Sequence, residues 1–493
     1  MKKHWSLLIP GTLLLCAAPA TAIELRDAVQ AALATNPEIR QAVHNKEATR
    51  KERRQAEGLW YPRVSVEASA GARNLRNPTR RNLGIADDTL WPLEASITAD
   101  QLLTDMGGRE AEIRRQASRT DAAAARIEER SEYVALNVSR AYVDYVLQQR
   151  LVAIAQDNAT FHERLASDLR QGVAQGSISI ADQQQAEERL QSARARVTEA
   201  SEDLEAAGIQ FRTLAGLPID SVTMPPDVQQ CMPATLEEAE ALARAHNPRV
   251  QESIADLSTA RELIRAAKAE MGPRFNLEGT ARVGDDVDGF SGHTTDLSAR
   301  VVMRWLVFNG GTNIANVREQ QARADESHAR LFEMTRRAEE DTRSAWSRLT
   351  NQARLVGELE TQSRVSDDLL LSYREQFNVG RRSLLDVLDA QNTRQNVQSQ
   401  AETARMAKLY AQYRVLAASN RLIEALGVSM PSEGWNNESE RFHVNQVPAT
   451  DRQENSMPYP VMGPPASASD MAAAPAPAPE PAPEPAAEPP AGQ

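Results

Sequence analysis

The chain has 493 residues, of which 41% are hydrophobic, 25% charged and only 4% aromatic. Those proportions exclude a polytopic helical membrane protein, which needs repeated apolar stretches of ~20 residues, and argue against one compact, aromatic-rich enzyme core. A formal net charge of −12 makes nucleic acid an unsuitable partner, because such binding rests on basic surface. Abundant Ala, Gln, Glu, Arg and Leu point instead to long helices.

Residues 1–22 read as a secretory signal, with Lys2 and Lys3 at the start, an apolar stretch over 5–18, and Ala20-Thr21-Ala22 as the cleavage site. Cys16 is not read as a lipidation site, because Leu15 precedes it where such sites take a small residue. Removing the signal leaves Cys231 as the one cysteine, so no intramolecular disulfide is expected and stability must come from packing.

An internal repeat organises the chain beyond the signal. Leu25, Ala28, Asn36, Pro37 and Pro62 recur 211 positions later as Leu236, Ala239, Asn247, Pro248 and Pro273. Gly107-Gly108 answers Gly310-Gly311, Gly176 answers Gly380, and Asp182 and Ala186 answer Asp386 and Ala390. Two copies are therefore expected, 23–217 and 234–428, joined by the proline-bearing linker 218–233. The tail 429–493 reads as disordered, since residues 474–485 place Pro at every second position.

Each copy is expected to open with helices and continue into a β-hairpin, about 62–104 in the first and 273–308 in the second. Val64, Val66, Ala68 and Ala70 alternate with polar neighbours, as do Leu93, Ala95, Ile97 and Ala99. Phe275, Leu277, Ala281 and Val283, then Leu297, Ala299, Val301 and Met303, repeat the pattern. Period two over about ten residues fits a transmembrane strand with lipid on one side and water on the other. Trp60, Tyr61, Trp91, Phe290, Trp305 and Phe308 stand near the run ends, where an aromatic girdle would lie. Four strands are too few to close a barrel, so several chains must pool theirs.

Long helical hairpins are expected next, about 108–216 and 312–427. Residues 109–175 contain no proline, and as one helix would reach roughly 100 Å. Leu409, Tyr413, Leu416, Asn420 and Ile423 fall at coiled-coil spacing, and Leu136, Val143, Leu147, Leu151 and Ile154 follow a similar logic. Gly176 and Gly380 are the expected helix-turn glycines.

With Tyr373-Arg-Glu-Gln-Phe-Asn-Val-Gly-Arg-Arg-Ser-Leu-Leu-Asp-Val-Leu-Asp-Ala-Gln391, the two Asn-Pro pairs and the two Gly-Gly turns in place, the sequence resembles the TolC family of outer-membrane channel proteins. That resemblance covers roughly 23–428. It implies an α+β membrane protein: a homotrimer whose twelve-stranded β-barrel in the cell outer membrane continues as a helical coiled-coil barrel in the periplasm. It also implies a periplasmic adaptor (membrane fusion) protein and an inner-membrane ABC or other transporter as partners. The implied work is multidrug efflux or type I protein secretion, and the 377–389 stretch is similar to the secretion members.

No catalytic, cofactor or metal constellation is found, so transport would be passive and driven by the partner. Asp386 and Asp389, at i, i+3, share one helix face beside the Gly380 break. The resemblance places them at the periplasmic entrance, where three chains would form an acidic ring that prefers cations and is blocked by multivalent ones. It also assigns a gate latch to Asp182 and Arg382, with Phe377 standing where the family often has Tyr. The rival readings are an exported coiled-coil scaffold without a pore and a periplasmic adaptor; an adaptor normally carries one helical hairpin, not two.

Overall fold

The computed structural model describes residues 22–448, except 220, 435–437 and 446. The expected signal and most of the proline-rich tail lie outside the described residues. Both halves of the chain follow one order. The first comprises α1 (Leu25–Thr35), α2 (Pro37–Glu57), β1 (Arg63–Ala70), β2 (Leu93–Thr104), α3 (Gly108–Ala174) and α4 (Ile180–Ala215). The second comprises α5 (Leu236–His246), α6 (Pro248–Ala269), β3 (Arg274–Asp285), β4 (His293–Arg304), α7 (Thr312–Asn378) and α8 (Leu384–Ala418). Both α3 and α7 have 67 residues, and among the described residues no helix is apolar enough to cross a membrane.

The Asn-Pro pairs are hinges between helices. Asn36 has extended backbone that stops α1, and its Oδ1 accepts from Glu38 N at 2.8 Å, while Pro37 presets the first φ of α2. Asn247 and Pro248 do the same between α5 and α6, with Arg249 N at 3.0 Å.

The strands form one antiparallel sheet in sequential order, β1-β2-β3-β4. Register sorts its faces. Val64 and Val66 stand opposite Ala99 and Ile97, Ile97 opposite Ala281, and Ala281 opposite Leu297. All four apolar sets thus share one face, while Ser65, Thr98, Thr280 and Ser298 cross the other in a single row. A slip of one residue would mix the faces. The apolar face is uncovered, with Leu297 83% and Val66 72% exposed. The outer edges of β1 and β4 have no strand partner among the described residues.

The loops between strands are clasped together rather than open. Arg80, in the short helix Pro78–Asn82, is buried and donates to the carbonyls of Ile85 (2.6 Å) and Asp88 (3.0 Å). It also donates to Gly289 O in the connection of the other hairpin.

The main apolar core gathers α1, the middle of α3, and the ends of α4 and α8 around Val29, Val138, Tyr142, Phe211 and Leu416. Tyr142 packs edge-on against Phe211, with centroids 6.0 Å apart, and donates its hydroxyl to Ile23 O at 2.7 Å. Tyr413 donates to Pro226 O at 2.7 Å. Tyr142 and Tyr413 thus bury their rings where the termini of both repeats meet, each with its hydroxyl satisfied.

Two expectations need correcting. The seam Leu409, Tyr413, Leu416, Asn420, Ile423 is not one helix. α8 stops at Ala418, Asn420 has φ 58°, and Arg421 N–H returns to Leu416 O at 2.9 Å before the separate helix Leu422–Ala425. Asn can end a helix as glycine does because it tolerates the left-handed region. Nor is all of 429–493 a free tail. Asp121 accepts from Glu438 N (2.9 Å) and Ser439 N (2.8 Å), Arg53 pairs with Glu438 at 3.3 Å, and Val447 packs with Val250, Leu257, Leu331 and Ala338. Capping and apolar burial order this piece, which its neighbours in sequence hide.

Candidate functional site

The far ends of the long helices carry the candidate site. Gly176 has φ +75° and Gly380 φ +73°, and each closes the same terminal motif. Gly176 N–H bonds Val173 O and Ser177 N–H bonds Gly172 O, both at 2.9 Å; Gly380 N–H bonds Phe377 O and Arg381 N–H bonds Gln376 O, also at 2.9 Å. These bonds satisfy the last carbonyls of α3 and α7 and reverse the chain within a few residues. Ser179 then caps α4, accepting from Ala181 N at 3.1 Å, and Ser383 caps α8, accepting from Asp386 N at 3.2 Å.

The two repeats differ at one carboxylate. Asp386 Oδ2 accepts from Ser383 N at 3.3 Å, which completes a capping box, and also from Ser383 Oγ at 2.8 Å, while Arg382 lies 3.8 Å from the same oxygen. Asp182, the matching residue of repeat one, has no ion pair or side-chain hydrogen bond among the described residues. Asp389 is exposed one turn along α8. Arg382 also donates to Gln376 Oε1 at 3.2 Å and lies over the Tyr373 ring at 4.2 Å. Phe377 is a packing residue, seated with Leu370, Val387, Phe161 and Tyr373.

Asp182, Arg382, Phe377 and Gly380 line one cavity of about 810 Å³ between the two hairpin tips. Arg374, over Phe161 at 5.4 Å, and Arg394, paired with Asp367, share its wall. The proposed latch residues thus border one cavity, and within one chain Arg382 pairs with Asp386 rather than Asp182. Deeper in the tip, Gln391 donates to Asn158 Oδ1 at 2.8 Å, both side chains buried, joining α8 to α3. Sequence reading missed that bond because a Gln in a polar helix gives no sign of its burial.

The sheet supplies the other surface of interest. On its polar face Glu278 pairs with Arg300 at 3.0 Å and with Arg304, and Asn276 donates to Asp100 Oδ1 at 2.9 Å. At the helical end Arg109 stacks on Trp60, 3.5 Å from the ring centre, and donates to Leu102 O at 3.0 Å. Sheet and helices are thereby joined by a buried cation.

A family profile described as outer membrane efflux protein matches residues 28–217 and 241–428. The alkaline protease secretion protein AprF of Pseudomonas aeruginosa is 23% identical over 309 residues, 61% of this chain and 64% of that protein. The outer membrane efflux protein BepC of Brucella suis is 25% identical over 290 residues, 58% of this chain and 61% of that protein. The chain thus matches somewhat over three fifths of the length of these curated relatives. Among solved structures, the outer-membrane channel OprN superposes with a TM-score of 0.70 at 20% identity, covering 82% of this chain and 90% of that one. The CmeC outer membrane channel of Campylobacter jejuni gives 0.69 at 15% identity, covering 87% and 89%.

Proposed function

This chain belongs to the outer membrane efflux protein family, and on that premise we propose that three copies close a twelve-stranded barrel in the outer membrane. The helices continue it as a tunnel into the periplasm, docked through an adaptor to an inner-membrane transporter that supplies the energy. The cargo is secreted protein, small molecules, or both. The observation that carries this reading is the register of the sheet, which gathers every apolar set on one uncovered face and leaves β1 and β4 with open edges. A sheet of four strands cannot exist in hydrocarbon with raw edges, whereas twelve strands lie within the range that closes.

At the tip, Asp386 and Asp389 of three chains form the acidic ring of the entrance, and the Asp182, Arg382 and Phe377 neighbourhood holds the hairpins inward. The placement of Asp182 and Arg382 on one cavity supports a latch, made between hairpins or between chains. One set of planar-bilayer recordings tests all three claims. The wild-type chain, extracted as a heat-modifiable trimer, should give stable, cation-preferring channels. Asp386→Ala/Asp389→Ala should lose that preference and the block by multivalent cations, and Arg382→Ser or Asp182→Ala should raise conductance. A monomer without channel activity would leave the scaffold reading in place. Unchanged recordings from folded variants would remove the ring or the latch individually.

A further inference from the structure

The charges on the polar face of the sheet are sorted along the strands. At the end next to the helices, one register row runs Arg63, Asp100, Glu278, Arg300, and Arg274 stands directly opposite Arg304 beyond it. The hydroxyl row Ser65, Thr98, Thr280, Ser298 comes next, and it is neutral. Toward the loops come Glu67, Glu94 and Asp296 against the single Arg282. The helical end therefore holds four guanidinium groups to two carboxylates, and the loop end three carboxylates to one guanidinium.

Pairing inside the sheet does not neutralise the helical end. Glu278 serves both Arg300 and Arg304, and Asp100 is engaged by Asn276. Arg63 and Arg274 are exposed and make no ion pair among the described residues. Like charges directly opposite each other across strands destabilise a sheet, so stability gives no reason for Arg274 to face Arg304. An anion between them would offset that repulsion, and guanidinium forks match carboxylate and phosphate oxygens in geometry.

We propose that the helical end of this face is an anion-binding collar, set where tunnel and barrel join, that favours cargo bearing carboxylate or phosphate groups. The inference rests on the trimeric barrel proposed above, in which the polar face lines the lumen. Three copies then place twelve guanidinium groups against six carboxylates in one ring. A charged ring between low-dielectric walls selects ions by sign. The collar and the acidic ring at the tip act in series with opposite preference.

The test replaces the two unpaired arginines, Arg63→Gln/Arg274→Gln, in the full-length chain, leaving both arginines of Glu278 in place. In planar bilayers under a KCl gradient, the reversal potential should move toward cations, a several-fold rise in the K⁺ over Cl⁻ permeability ratio. Millimolar tripolyphosphate added on the loop side should block the wild-type channel, and the concentration for half block should rise ~tenfold in the variant. Arg63→Lys/Arg274→Lys keeps the charge and should keep wild-type selectivity and block. Channels from the Gln variant with unchanged selectivity and block overturn the collar alone. A wild-type channel indifferent to tripolyphosphate overturns it without reference to any variant. A wild-type chain that inserts no channel overturns barrel and collar together.

Discussion

Glu132 is a carboxylate held away from water. Only 4% exposed on α3, it accepts from Ile423 N at 3.3 Å, and burial pushes its carboxyl up to about 8. The neighbouring Glu128, which takes Asn420 Nδ2 at 3.2 Å, adds like charge and is itself raised by burial, while Lys46 on α2 opposes the rise in Glu128. The folded chain therefore keeps a proton that the unfolded chain releases above the ordinary value of 4.5. The contribution of Glu132 to stability is fullest in acid, falls as pH rises from about 4.5 to about 8, and is level above that. Glu132→Gln should flatten this part of the profile and raise the melting temperature most at pH ~8. Melting curves of both chains from pH ~5 to ~8 with the same slope would contradict it. Little of this was legible in the sequence, where Glu128 and Glu132 look like any solvated helix face. The turn glycines were legible because only glycine reaches φ above about +70° cheaply. Asp386 was half legible. Its spacing from Ser383 is that of a capping box, and reading it only as half of an acidic pair overlooked the hydroxyl three residues before it.

Among elements, the strands were the most readable, because alternation of period two fixes which side chains share a face before any partner is known. What alternation could not give was register, which depends on strands far apart in the chain, such as β2 and β3, meeting edge to edge. The sheet makes the parity testable at adjacent positions of β2. Ile97→Arg puts a charge on the apolar face, at a cost of ~2–4 kcal/mol near the bilayer midplane, and should abolish heat-resistant trimer in the outer membrane. Thr98→Arg, on the other face, should assemble normally. Equal yields from the two would mean the faces are assigned wrongly. Helix length was also readable, from unbroken stretches without proline, but the end of α8 was not: the 4, 3, 4, 3 spacing runs straight through the left-handed Asn420. The buried bond between Asn158 and Gln391 joins α3 to α8 and is open to a double-mutant cycle. Asn158→Ala strands a buried amide, costing about 1–3 kcal/mol, whereas Asn158→Leu/Gln391→Leu should recover most of that loss. Additive effects in thermal melts would deny the two residues a shared role.

For the whole molecule, the ordered piece after residue 437 ties the two repeats together, since Arg53 and Asp121 belong to the first and Val250, Leu257, Leu331 and Ala338 to the second. A chain ending at Pro448 should melt like the full-length protein. One ending at Gly434 should melt several degrees lower, because it bares that apolar cluster at roughly 1.5–3 kcal/mol for Val447 alone and takes Glu438 away from buried Arg53. Identical melting of the two truncations would count against a binding role for the segment. The open edges of β1 and β4 reach further than stability. Hydrocarbon charges several kcal/mol for each unsatisfied backbone group, so a lone chain of the proposed trimer has no place in lipid, and neither does a pair. In that proposal association would precede or accompany insertion, and the bilayer would admit only the finished ring. Supply of new channels would follow the pool of unassembled chains with the steepness of a three-body encounter. On the proposed trimer, a cell that halves its synthesis of this protein would lose well over half of its rate of channel formation, and expression level would control channel number more sharply than for a protein that inserts alone.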